Sequence, residues 1–275
     1  MADLICLESF TESRARMDPV IFHDPRILEN MLVNEEASVV PCDYFATVQK
    51  DSQVQPYMRA DIVTWMTEVC DELNCDTHVL PLAVKLMDMT LTKTPVQVTE
   101  LQLLGATCMH IASKLRSTRI MSTNQCSFYA DHSFTSRAVN LCEIIILSSL
   151  KWKTSFLTAA DFLEHILARM TLPRGESNII RKHSHAILQY CSPNTETAFM
   201  KPSVLGSGAI VAAIDRLNGK EESKRALRQV CNLTHHKPEE ILRVVRLLPS
   251  RASQEDKQLA TCSTPTDVQD INLDD

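Results

Sequence analysis

The chain has 275 residues, 44% of them hydrophobic, with 5 Gly and 12 Pro. That is enough to bury the cores of two ordinary domains, and too few turn residues for an all-β fold. Its formal net charge of -6 argues against a polyphosphate backbone as the main partner, because such affinity comes from clustered Lys and Arg. No apolar run approaches the roughly 20 residues a bilayer span needs, and the opening MADLICLESFTES lacks a basic start followed by an apolar run. A soluble, intracellular, mostly helical protein is expected, with neither membrane nor direct nucleic acid among its partners.

Residues 1 to about 22 show no sustained periodicity. The next stretch, DPRILENMLVNEE, places Pro25 at a helix start and Ile27, Leu28, Met31 and Leu32 on one face, predicting a short amphipathic helix outside the main core. A longer helix starts at Pro56, with Met58, Ile62, Trp65, Met66, Val69 and Leu73 at steps of three and four, and closes at Asn74 and Cys75. A second runs from about Thr77 to Leu91, with Asp76 as N-cap and Val79, Leu82, Ala83, Leu86 and Met87 as its inner face. Pro95 marks a break. The third, LQLLGATCMHIASKL (101–115), is apolar nearly all round, and Gly105, Ala106 and Ala112 let neighbouring backbones approach it. Ser122 caps a short fourth helix ending near Asp131, and SRAVNLCEIIILSSL (136–150), again almost wholly apolar, is a fifth. The third and fifth are thus expected to be the buried helices of one compact bundle.

Five further segments, 157–170, 175–191, 202–217, 222–232 and 237–248, show helical spacing, separated by Pro173, Pro193 and the Asn218-Gly219 pair. They predict a second five-helix unit, without a residue-level repeat of the first. Between Arg216 and Arg251 nine Lys or Arg stand against four Glu, which reads as the wet faces of amphipathic helices. From Ala252 to Asp275 six acids face one Lys with little to bury, predicting a disordered acidic tail.

The ten Cys are scattered, several at helical apolar positions (Cys70, Cys108, Cys142), where a thiol packs as a small hydrophobe. No CxxC pair occurs, and His183 and His185 sit two apart, on different faces of a helix; no metal and no cofactor are expected. Catalysis would need a converging nucleophile, base or metal set, and the sequence has no Gly-rich phosphate loop, no His-x-x-x-His pair and no Gly-x-Ser-x-Gly turn.

The stretches MRADIVTWMTEVCDELNCD (58–76), LQLLGATCMHIASKL (101–115) and SSLKW (148–152) resemble a first cyclin box. LTAADFLEHIL (157–167) and IIRKHSHAILQYC (179–191) resemble the second box of D-type cyclins. The resemblance implies an all-α protein of two tandem five-helix cyclin boxes, with an N-terminal helix and a disordered acidic C-terminal tail. Its divisions are 1–40, 41–153 (kinase binding), 154–250 and 251–275. It further implies a non-enzymatic regulatory subunit that binds and activates a cyclin-dependent kinase by favouring its active conformation, at the G1/S transition, in nucleus and cytoplasm. Implied partners are that kinase, its inhibitors, retinoblastoma-family pocket proteins and a ubiquitin ligase. A cyclin-box transcription factor or adaptor is the rival, disfavoured by the acidic charge and the lack of a zinc-ribbon Cys pattern.

Lys114 ends an apolar helix and Glu143 interrupts another, so each needs a salt bridge or an interface; a mutual surface pair satisfies that need. They match the Lys and Glu through which cyclins grip the kinase. Met58, Asp61, Trp65 and Glu68 share one helix edge beside Ile62, an arrangement that fits ordinary core with a charged flank. In cyclins the matching edge, with the position of Gln102, forms a groove for Arg-x-Leu peptides of substrates and inhibitors. Asp61 occupies a position that is usually aliphatic there, and DMTL (88–91) replaces the family's Asp-Arg-aromatic-Leu. Leu4, Cys6 and Glu8 form L-x-C-x-E, whose alternate residues face one way in an extended strand; it matches the D-type motif for retinoblastoma-family pocket proteins. Thr264, before Pro265 in the acidic tail, matches the Thr whose phosphorylation controls export and ubiquitin-dependent destruction in D-type cyclins.

Overall fold

A computed structural model describes residues 18–172 and 175–248. Leu4, Cys6, Glu8, Thr264 and the acidic tail lie outside the described residues. Two short segments open the described chain, α1 (Pro19–His23) and α2 (Pro25–Asn34), each with Pro at its first turn and an Asp N-cap, Asp18 and Asp24, accepting from a backbone N–H two residues on. The first bundle follows as α3 (Pro56–Glu72), α4 (Val79–Leu91), α5 (Leu101–Arg116), α6 (Thr123–Tyr129) and α7 (Ser136–Ser149). The second is α8 (Ala159–Leu167), α9 (Ser177–Cys191), the single turn α10 (Thr195–Ala198), α11 (Pro202–Asn218), α12 (Lys220–Thr234) and α13 (Pro238–Arg246). No described helix is long and apolar enough to cross a membrane.

Several ends follow from local chemistry. α3 stops where Asn74 turns to φ 49 and the Cys75 N–H reaches the Cys70 carbonyl at 2.8 Å, a left-handed cap of the kind that satisfies orphan carbonyls. Ser122 and Gln125 form a reciprocal capping box at the start of α6, as its sequence suggests. Asp76, by contrast, does not cap α4. It accepts from His78 N at 3.5 Å in a turn, and the helix begins only at Val79.

Three expectations about burial are overturned. α4 shows more than one inner face, because every residue except Pro81 is buried. α3 and α5 cover one side and the second bundle covers the other, including Lys85 and Asp88, which look solvent-facing in sequence. In α7, expected to be a buried helix, only Val139 and Ile146 are buried. The buried pair at the centre is therefore α4 and α5. Nor does α2 lie apart: Leu28 is buried in the second core, with Met31 and Leu32 against it. In the turn after α2, buried Glu35 accepts from Ser203 N at 3.1 Å and Ser203 Oγ at 2.9 Å, at the positive end of α11.

In the second bundle α11 is the axis, with α8, α9, α12 and α13 packed around it. The two halves are joined by specific bonds. An Arg59 Nη donates to the carbonyls of Ser192 (3.0 Å) and Pro193 (3.2 Å), Arg116 pairs with Asp161 at 2.9 Å, and Gln189 donates to Asp71 at 2.8 Å. Of the thiols that sequence assigns to the core, Cys70 and Cys108 are buried and Cys142 is half-buried.

Candidate functional site

The last turn of α5 carries Lys114 and Arg116, cations placed where the helix dipole favours them. α7 packs alongside, its start fixed by Thr135, whose side chain accepts from Ala138 N. Between the two helices Lys114 Nζ donates to Glu143 Oε1 at 2.5 Å, and Glu143 Oε2 lies 3.7 Å from His110 Nε2. His110 in turn is held by its Nδ1, 2.6 Å from the Met121 carbonyl, which leaves Nδ1 the donor. Glu143 is thus fixed on the α5 side of its helix, with its side chain 17% exposed against 36% for Lys114.

On the outer side of α7, Leu141, Ile144 and Ile145 are 55%, 59% and 58% exposed. With Arg137 and Ser148 they recur at the spacing of one helical face, and Leu115 of α5 adds a further exposed side chain. Three large aliphatics on one helix face that no described residue covers, edged by an ion pair, have the composition of a binding surface: an apolar centre and a polar rim. Sequence reasoning found the rim pair and missed the aliphatic centre, because the same residues read equally well as core. The signal available was Glu143 itself, a charge that a fully buried helix would not carry.

A second cluster lies along α3. Met58, Ile62 and Trp65 are half-buried against the first core, while Asp61 and Glu68 are exposed. α3 crosses α5 at Gly105, where an added Cβ would stand 3.0 Å from Ile62 Cγ2 and 3.2 Å from the Met66 sulfur, so a larger residue there would require both side chains to give by a few tenths of an ångström. Gln102 lies one turn earlier on α5 and accepts from Ser133 Oγ at 3.1 Å. Asp88, the first residue of the DMTL segment, is absorbed into the interior: it accepts from Arg59 and from Tyr44.

Comparison with known proteins matches this architecture to one class. Residues 26–155 match the family described as Cyclin, N-terminal domain. The fold is similar to that of a viral cyclin from herpesvirus saimiri, with a TM-score of 0.62 at 23% identity, covering 77% of this chain and 97% of that one. It is also similar to a chain in the CAK complex of Chaetomium thermophilum bound to ATP-gamma-S, with a TM-score of 0.50 at 11% identity, covering 87% and 80%. The fold is a cyclin fold.

The sequence narrows the class. The chain is 35% identical over 292 residues to G1/S-specific cyclin-D2 of Xenopus laevis, covering 98% of this chain and 100% of that one. It is 37% identical over 216 residues to G1/S-specific cyclin-D3 of Homo sapiens, covering 78% and 73%. The chain belongs to the G1/S-specific, D-type cyclin family.

Proposed function

We propose that the α5–α7 surface is where this chain takes hold of its kinase. As a D-type cyclin it is a regulatory subunit of a cyclin-dependent kinase at the G1/S transition and not itself an enzyme. What remains to be assigned is the surface. The observation that carries the assignment is the exposed strip of Leu141, Ile144 and Ile145 beside the Lys114–Glu143 pair. Covering an apolar strip releases water, and a rim pair of opposite charge can re-pair with backbone or side-chain groups of the partner, fixing orientation. Activation then needs no group from this chain in the reaction. Binding the active kinase conformation more tightly than the inactive one is sufficient.

The same reading assigns the α3 edge (Met58, Asp61, Ile62, Trp65, Glu68) with Gln102 to docking of substrates and inhibitors, and Leu4, Cys6 and Glu8 to retinoblastoma-family pocket proteins. Thr264 becomes a phosphorylation site read by a ubiquitin ligase, the protein works in nucleus and cytoplasm, and the chain divides at 40, 153 and 250. Residues 1–12 as a peptide, and Cys6→Ala or Glu8→Ala within it, test the pocket-protein assignment by direct binding.

For the kinase surface, Lys114→Ala with Glu143→Ala should abolish pull-down of a cyclin-dependent kinase while thermal unfolding stays nearly unchanged, since partly exposed pairs stabilise a fold by only about 0–1 kcal/mol. Ile144→Asp should do the same alone. Kinase binding retained by both variants would remove the assignment.

A further inference from the structure

Between the two bundles, residues of α4, α9 and α11 enclose a half-open cavity of about 70 Å³. At the space one water needs, that is room for roughly five or six non-hydrogen atoms. The lining is mostly apolar, with Val84 on one side and Leu188, Ala198 and Leu205 from the second bundle.

Two cations stand in this wall, Arg59 and Lys85, against one carboxylate, Asp88. Asp88 is fully engaged. Its two oxygens each accept from Arg59 at 2.8 Å, and Oδ1 also accepts from Tyr44 Oη at 2.8 Å. Lys85 is 9% exposed, yet it makes no hydrogen bond or ion pair among the described residues. Burial pushes its pKa down from the ordinary value; Asp88 opposes that and Arg59 adds to it. An ammonium that no described side chain pairs, set in a half-open and mostly apolar wall, leaves the cavity with a net positive charge.

We propose that this inter-bundle cavity binds a small apolar monocarboxylate, its carboxylate paired with Lys85 and its short hydrocarbon body on Val84, Leu188 and Leu205. The two halves of the ligand answer the two halves of the site. An inorganic anion would leave the apolar lining uncovered, and a neutral molecule of the same shape would leave Lys85 unpaired.

The test is calorimetric titration of the full chain with butanoate, acetate, 1-butanol and phosphate. Butanoate should bind about tenfold more tightly than acetate, as two buried methylenes predict. 1-Butanol and phosphate should each be at least about tenfold weaker than butanoate, the first lacking the charge and the second the body. Lys85→Met, which keeps the length of the side chain, should lose butanoate binding and unfold at the same or a higher temperature. Leu205→Trp, which fills the cavity from α11 and leaves Lys85 in place, should lose it as well. The proposal is overturned by any of three results: butanoate affinity unchanged in Lys85→Met, 1-butanol or phosphate binding as well as butanoate, or no saturable butanoate signal up to about 50 mM in the unaltered chain.

Discussion

Arg59 of α3 and Asp88 of α4 meet through two parallel hydrogen bonds of 2.8 Å, with side chains only 1% and 2% exposed. The same guanidinium reaches the carbonyls of Ser192 and Pro193, so one side chain ties α3 to α4 and the first bundle to the second. Burial, joined by the Asp88 charge, pushes the Tyr44 hydroxyl far above its ordinary range and keeps it a neutral donor to that carboxylate.

Removing one member of such a pair strands the other. Arg59→Ala should destabilise the chain by about 3–5 kcal/mol, because among the described residues Asp88 would remain buried with Tyr44 as its only side-chain hydrogen-bond donor. Adding Asp88→Asn should recover part of the loss by removing the stranded charge. Urea unfolding of the three proteins measures both effects; a loss below about 1 kcal/mol for Arg59→Ala would show the pair to be dispensable.

A second inter-bundle contact makes a pH prediction. Burial would raise the pKa of Asp161, but His78, the Arg116 charge and the Thr158 N–H and hydroxyl more than offset it and hold the value at about 2, against an ordinary 3.8. A carboxylate lowered in the folded state contributes stability above its unfolded pKa and loses it as pH falls through the folded one. The window here is about pH 4 down to about pH 2, and the shift corresponds to about 2 kcal/mol. The stability advantage of the natural chain over Asp161→Asn should therefore shrink by about that amount between pH 5 and pH 2 in urea titrations. A constant difference across that range would mean that Asp161 is not held low.

The axis of the second bundle leaves no space at Gly208, where a Cβ would stand 2.4 Å from Val244 Cβ and 2.6 Å from its Cγ1 on α13. Gly208→Ala should cost about 1–3 kcal/mol by forcing α13 away, even though Ala is the better helix former. Val244→Ala should relieve only part of it, since the closest atom is the Cβ that Ala keeps. An unchanged melting temperature in Gly208→Ala would show that α13 yields freely.

On α3, exposed Asp61 stands one turn from half-buried Trp65, on the edge proposed for peptide docking. An Arg-x-Leu peptide should dock weakly, and less well as salt rises, because exposed charges are screened over roughly 8 Å at physiological ionic strength. Asp61→Ile should tighten docking by about 1–2 kcal/mol and flatten the salt dependence. Equal affinities and equal salt slopes for the two proteins, read with one fluorescent peptide, would place Asp61 outside the groove.

Helix starts were legible wherever a single residue enforces them, as Pro56 and Ser122 do, and so was the Lys114–Glu143 pair, which stood out as charge in apolar runs. Burial was not legible to the same degree. Lys85 and Asp88 look like a wet face of α4, yet the second bundle covers them, through contacts such as that of Arg59 with Pro193, 134 positions along the chain. α7 errs the other way, since Leu141, Ile144 and Ile145 demand to be covered but do not say whether the cover belongs to the same chain. Hydrophobic periodicity reports which side of a helix avoids water, and only the arrangement of all helices decides what stands against it.

The seating of α2 on the second bundle has a consequence for synthesis. Glu35 leaves the ribosome well before its partner Ser203, which follows 168 positions later. At about 5–20 residues per second, that interval is roughly ten to thirty seconds. For that time α2 must stay out of its final place while the whole first bundle, from α3 to α7, is made and can close without it. α2 is thus translated before the first bundle yet seated after it, and the nascent chain carries Leu28 and Met31 uncovered until α8 and α11 arrive.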